Sequence, residues 1–543
     1  MFQRGAPRIR AFSEAVGMVS WIKCRPLLAC DDGGVKLRVL GRSRALSTAR
    51  RFLLALTMCV SICTAGRAQS VLTYHASADR SGNYVMPGLT FERASKLHRD
   101  FFFDGRIAGS VYAQPLFWRS KRTGRPLVIV ATESNNVYAL DASTGKPLWK
   151  RHLGQPVGLS KLPCGNIDPI GITGTPVIDE SRAALYLDAM IDTGSGLHAQ
   201  HMLFGLSLED GSTLPGFPID VAQVLGAQGM SFAPRVQNQR GALVTAEGTL
   251  FVPYGGHFGD CGAYHGWVVG VQLDPPHSVK AWSTRGIGGG IWAPGGIAYD
   301  GRALIVATGN TEDVRDFADG EAVILLNPDL KTSDDPRTFF APADWQGLDS
   351  ADADLGGANP LTFNIRDAAG EARFVLALGK DGKAYLLNRD NLGGVGGALK
   401  VVPVSRSAIR TSPSVYPAYS GVFVAFRGAG IACPVSNQRP NLTVLRIQAH
   451  PSPTLSTAWC GAFDGRGSPA VTTTDGRSNP VVWIVGAEGD NRLHGFRGDT
   501  GEPLFTGGGA DEAMGNVRRF STILAAFGKL FVAADDRVYA FKL

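Results

Sequence analysis

Beyond residue 68 the sequence has only four cysteines, Cys164, Cys261, Cys433 and Cys460, with no C-x-x-C pair and no C-x-x-C-H run among them. Those absences argue against covalent haem and against a structural zinc site. No G-x-S-x-G occurs either, so the nucleophile elbow of a common hydrolase fold is missing. Long apolar runs are lacking: the one within 51–68, "RFLLALTMCVSICTAGRA", has about a dozen residues where a membrane-spanning helix needs roughly 20. Surplus positive charge is also confined. Of 54 Lys/Arg and 47 Asp/Glu, residues 1–68 hold 12 and 3, leaving 42 against 44. The net charge of +7 therefore belongs to the N-terminal segment, and the remainder has no electrostatic footprint for nucleic acid or an anionic membrane.

Residues 51–68 follow an Arg-rich stretch and end in small residues before Gln69, the pattern of an export signal, with 1–68 as leader and signal. Neither Cys59 nor Cys63 follows a small residue, so no lipid anchor is expected. A secreted or periplasmic protein follows. In an oxidising compartment the four remaining cysteines suggest disulfides, and four cysteines allow three pairings. Nearness in sequence favours Cys433 with Cys460, which leaves Cys164 with Cys261 across neighbouring repeats.

Sixty-eight glycines, short strand-like runs and frequent turn dipeptides point to an all-β chain. The stretch "VYALDASTGKPLW" (137–149) alternates with period two, turns at Asp141–Gly145 and resumes, and similar phrases return at 384–394, 493–505 and the C-terminus. A second phrase marks eight starts: Pro115, Pro176, Pro234, Pro294, Pro360, Pro413, Pro469 and, without proline, Thr522. Their spacing of 53 to 66 residues leaves room for four short strands each. Eight such units over 69–543 describe an eight-bladed β-propeller with four-stranded blades; two packed sandwiches would not predict so even a spacing. The last unit stops after its third strand, so residues 97–105, "LHRDFFFDG", are expected to supply the missing outer strand and close the ring. Tyr138 and Trp149 read as packing residues between blades.

The repeat "VYALDASTGKPLW" resembles that of the quinoprotein family, eight-bladed propellers of the quinoprotein alcohol dehydrogenase type whose enzyme members bind pyrroloquinoline quinone (PQQ) and calcium. Three further segments resemble that family's site. "GGGIWAPGGIAYDGRALIVATGN" matches the segment in which a Trp floors the quinone and an Asn ligates calcium, here Trp292 and Asn310. "DADLGGANPL" is similar to the segment with the catalytic aspartate, matched by Asp352 with Asp354 beside it as a cofactor-binding candidate. "LALGKDGKAYLLNRD" resembles the segment whose Lys or Arg bonds the quinone oxygens, matched by Lys380. The resemblance implies oxidation of an alcohol or sugar. Two departures stand out: Cys261 occupies about the place of the family's calcium-binding Glu, leaving Asp260 or His265 to substitute, and the adjacent-cysteine pair and fused cytochrome of some members are missing.

Inner strands of a propeller converge on one axis, so equivalent strand ends meet although far apart in sequence. Trp292 begins the fourth unit, Asn310 ends its second strand, Asp352 precedes the fifth unit, and Lys380 ends that unit's second strand. One mouth of the channel should therefore gather them. His257 and His265, flanking Asp260 and Tyr264, read either as a polar site or as loop residues held by a disulfide. The competing function is a non-catalytic scaffold that holds a protein or glycan in its funnel.

Overall fold

In the computed structural model, the described residues are 70–194, 199–312, 314–331, 333–435 and 439–543, so the expected export signal lies outside them. Among the described residues eight sheets follow one another along the chain, antiparallel within each blade, with a short parallel strand added at the edge of two: Asn83–Val85 beside Ala470–Thr473 and Gly394–Val395 beside Phe339–Ala341. Blade 1 comprises Leu116–Arg119, Pro126–Ala131, Asn136–Asp141 and Pro147–His152, in that order from inside outwards. Blade 2 repeats this over Val177–Asp220, blade 3 over Val244–Ser283 and blade 4 over Ala298–Ala341. Blade 5 runs over Leu361–Pro403, blade 6 over Ser414–Gly461 and blade 7 over Ala470–Thr506. Blade 8 has three strands from the C-terminus, Leu524–Ala526, Lys529–Ala534 and Arg537–Lys542. This is the eight-bladed propeller of four-stranded blades that the repeat spacing predicts.

The period-two alternation does its work between blades. In blade 1, Val128, Val130 and Leu140 face Phe531 and Val538 of blade 8, while Leu127, Ile129, Val137 and Ala139 face Ile178, Leu185 and Leu187 of blade 2. Each fully buried Leu or Ile contributes roughly 1.5–3 kcal/mol, so successive side chains of one strand stabilise two different interfaces. Outer strands need no second partner, and Pro147–His152 is largely exposed. Trp149 donates its indole N–H to the Leu208 carbonyl at 3.0 Å and lies on Gly211 of the next blade. Gly211 has φ +72°, and a Cβ there would meet the indole at 2.8 Å, so glycine is required twice over. Trp459 repeats the arrangement on Gly501.

One unit boundary differs from the sequence reading. The inner strand of blade 3 begins at Val244 after Gly241-Ala242, and Pro234 lies in a turn ten residues earlier. No proline marks this entry, because a Cβ at Gly241 would already stand 2.8 Å from the Gly296 backbone.

Blade 8 receives its outer edge from the N-terminal side. His98–Arg99 pairs with Phe541 and Lys542, and Gly105–Arg106 pairs with Val538 and Arg537. Between these two short ladders the buried Asp100 carboxylate binds Lys529 at 2.9 Å and Lys542 at 3.0 Å. Ahead of this seam, residues 71–85 form a strap across the lumen. They bond in turn to Phe117 (blade 1), Ile178 (blade 2), Leu243 at the entry to blade 3, Tyr299 (blade 4), Val415 (blade 6) and Val471–Thr473 (blade 7). Arg80, fully buried, donates to the carbonyls of Ile297, Leu243 and Tyr74 and to the Thr73 hydroxyl. His75, Ala76 and Arg80 all have positive φ, a cost that these bonds over-determine.

Candidate functional site

Strand order fixes which segments share a face. The links entering each inner strand and the turns after each second strand emerge at one mouth of the ring, opposite the remaining turns. Trp292, Asn310, Asp352, Asp354 and Lys380 all sit on such links or turns, and the structure brings them together. Lys380 Nζ binds Asp352 Oδ1 and Asp354 Oδ2, each at 2.5 Å. The other Asp354 oxygen accepts the Asn310 backbone N–H at 2.9 Å. Lys380 Nζ also lies 5.3 Å from the centroid of the Trp292 ring. Gly309 allows this closeness: a Cβ there would meet Asp354 at 2.9 Å and the Trp292 indole nitrogen at 3.1 Å.

The two aspartates differ in exposure, 4% for the Asp354 side chain and 67% for that of Asp352. Asp354 is therefore a buried anchor with both oxygens engaged, whereas Asp352, at φ +48°, presents its carboxylate to the mouth. Burial works against the Lys380 charge, but Asp354 and Asp352 outweigh it and push the ammonium pKa up. Lys380 is a fixed cation here. Beneath it Glu321 is completely buried, one oxygen accepting the Leu355 N–H at 2.5 Å. Burial, helped by the Asp354 charge, lifts its pKa to about 9, so at neutral pH it is an uncharged acid.

A calcium ion does not fit this donor set. Cys261, at the expected Glu position, is bonded to Cys164, and the second disulfide joins Cys433 to Cys460. Asp260 accepts the Tyr264 hydroxyl at 2.7 Å, and Asp349 accepts from the Thr311 N–H and hydroxyl. His265 turns its ring to the Thr284 carbonyl, and His257 is buried. Neither Asp260 nor His265 substitutes for the Glu, and among the described residues no group of three or more His, Cys, Asp and Glu could hold a metal. Asn310 meets the cluster through its backbone N–H, with Lys380 supplying the positive charge that Asp354 requires.

Sequence reasoning missed Arg240, Glu133, Glu321 and Phe520. Arg240, on the link into blade 3, sets its guanidinium carbon 5.8 Å from the Trp292 ring centroid and 4.2 Å from that of Phe520, on the link into blade 8. Glu133 follows the second strand of blade 1; its Oε2 accepts from the Gly171 N–H at 2.7 Å and the Thr173 hydroxyl at 3.1 Å. Burial lifts its pKa to about 7. The only available signal was position: each residue lies where the repeat exits toward this mouth. A separate cavity of about 700 Å³ opens on the opposite side of the strap, lined by Asp79, Asp300, Arg389 and Asn364, and touches none of the cluster.

No protein-family model matches the chain, and no curated protein matches its sequence. Solved structures resemble it in fold. The quinohemoprotein alcohol dehydrogenase ADHIIG of Pseudomonas putida HK5 superposes with a TM-score of 0.62 at 12% identity, over 87% of this chain and 80% of that one. The quinohemoprotein alcohol dehydrogenase of Comamonas testosteroni gives 0.59 at 15% identity, over 89% and 82%. A europium-containing methanol dehydrogenase gives 0.61 at 12% identity, over 87% and 98%. At such identities the likeness establishes a shared propeller fold, that of quinoprotein alcohol and methanol dehydrogenases.

Proposed function

We propose that this chain is an exported quinoprotein-like propeller that binds PQQ at the basic mouth and oxidises an alcohol or a sugar. One observation carries the reading: an indole, a fixed ammonium and an exposed carboxylate, from three separate segments, meet at the axial mouth of a propeller shared with alcohol dehydrogenases. The chemistry the quinone supplies when bound is acceptance of a hydride, with its two electrons, from the alcohol carbon. Trp292 offers a planar face for a planar ring system. Lys380, with two N–H groups on Asp352 and Asp354, has the third to donate toward an oxygen that gains negative charge, and Asp354 holds it there. Asp352 takes the hydroxyl proton, since Asp354 has no free oxygen. Two disulfides and the signal-like segment at 51–68 support export.

The competing reading, a non-catalytic scaffold holding a protein or glycan at the same mouth, is favoured by the unsuitable calcium donor set. PQQ-dependent dye reduction over a panel of alcohols and sugars separates the two. Asp352→Asn should abolish that reduction and leave the melting temperature unchanged, because the side chain is mostly exposed. Full activity in this variant would defeat the dehydrogenase reading.

A further inference from the structure

Arg240 is a cation without a counter-ion. Among the described residues its guanidinium meets no carboxylate within 4.0 Å and no hydrogen-bond acceptor, although it carries five N–H donors. Its contacts are the Trp292 and Phe520 rings, which present it as a flat fork toward the mouth while part of its surface stays open. Glu133 and Glu488 lie close enough to favour its charge but do not pair with it directly. Glu133 points one oxygen at Gly171 and Thr173, and Glu488 is taken by Arg519 at 2.9 Å and by Arg466 at 3.6 Å. On the blade 6 side of the same mouth, among the described residues, Arg427 donates only to the Gly465 carbonyl and the adjoining Arg410 has no ion pair. Arg240 and Arg427 are half-buried and Arg410 is exposed. A half-buried guanidinium without an ion pair is partly stripped of water and gains most from an anion, so such groups gathered at one mouth describe a receptor for anions.

We propose that this mouth receives a planar organic polyanion bearing two or more carboxylates, with the Arg240 guanidinium as carboxylate anchor and no divalent cation taking part. PQQ, a planar tricarboxylate, belongs to this class, so the inference rests on and deepens the functional reading; benzene-1,2,4-tricarboxylate is a redox-inert probe of the same chemistry. The cation's task falls to side chains already in place. Arg240 pairs bidentately with one carboxylate, Arg427 with Arg410 attracts a second, and Lys380 faces the ring from the Trp292 side.

The test is titration calorimetry of the purified protein with PQQ and with benzene-1,2,4-tricarboxylate, in EDTA and then with added calcium. Binding of either probe is expected in EDTA, unchanged by calcium and weakened by salt. Arg240→Gln should weaken it by about tenfold or more, through loss of the bidentate charge-assisted pair, without lowering the melting temperature. Arg240→Lys keeps the charge but not the fork, and should weaken binding several-fold. Binding of neither probe, binding that requires calcium, or equal affinity in both Arg240 variants would overturn the proposal. Binding of both probes without dye reduction would sink the dehydrogenase reading and leave this inference standing.

Discussion

His201 Nδ1 stands 2.7 Å from Asp188 Oδ1 across two neighbouring strands of blade 2, with both side chains 1% exposed. The other ring nitrogen lies 3.0 Å from the Gln237 carbonyl, and the Tyr254 hydroxyl donates to the second Asp188 oxygen at 3.0 Å. Since both ring nitrogens face acceptors, the ring is an imidazolium, and the pair bolts blade 2 to blade 3.

Burial works against the His201 charge, yet Asp188, together with the Gln237 carbonyl and the more distant Asp220, raises its pKa. His257 alongside goes the other way, down to about 4, from burial and then the His201 charge. A raised histidine pKa means the folded state holds the proton more tightly. Its stabilisation is complete below the ordinary value of about 6.5 and fades as pH rises through the folded value. Melting temperatures recorded from pH 5.5 to 9 should therefore decline on the alkaline side. His201→Gln should flatten that decline and cost about 3–5 kcal/mol by leaving Asp188 buried and unpaired. An unchanged pH profile in the variant would refute the pairing.

Glu321 gives the same sign by a different route. An acid whose folded pKa lies near 9 must stay protonated inside while it ionises in the unfolded chain, so it destabilises progressively as pH rises from about 4.3 toward 9. Glu321→Gln keeps an oxygen for the Leu355 N–H and removes the titration. The variant should melt higher than the parent at pH 8, with the difference vanishing near pH 4. Equal melting temperatures at pH 8 would contradict a buried neutral acid.

The strap depends on Arg80. Replacing it by Met removes donors from three carbonyls around a fully buried side chain, and should cost roughly 3 kcal/mol or more, read as a lower urea midpoint. Limited proteolysis should then cut within residues 71–85, where the parent resists. A variant as stable as the parent would show that the strap is not a structural element.

The disulfides provide a test of compartment. Non-reducing peptide maps of protein isolated from its native compartment should contain Cys164–Cys261 and Cys433–Cys460. The Cys433→Ala/Cys460→Ala double variant, opening a separation of 27 residues, should lose about 3.5 kcal/mol; loss of Cys164–Cys261, across 97 residues, should cost about 4–5 kcal/mol. Free thiols at all four positions would argue against export.

What the sequence determined by itself is the part of the fold written locally. Alternation such as Val128, Val130 and Leu140 against Leu127 and Ile129 recurs from blade to blade, whose inner strands start 53 to 67 residues apart, because each blade must bury both faces against its neighbours. Prolines at 115, 176, 294, 360, 413 and 469 mark the entries to inner strands, where a missing N–H is harmless. Blade 3 escaped this signal, because close approach to Gly296 put Gly241 at its entry and left Pro234 in an earlier turn. Tertiary structure alone decided the rest. No pattern near Arg240 announces Phe520, 280 positions away, and none near Arg80 announces Leu243 and Ile297. The burial that turns Glu321 into a neutral acid, and the Lys380 ammonium standing between Asp352 and Asp354, arise only when the ring closes. Periodicity records which face of a strand is covered; the charge state and company of a side chain at the axis depend on what the other blades bring there.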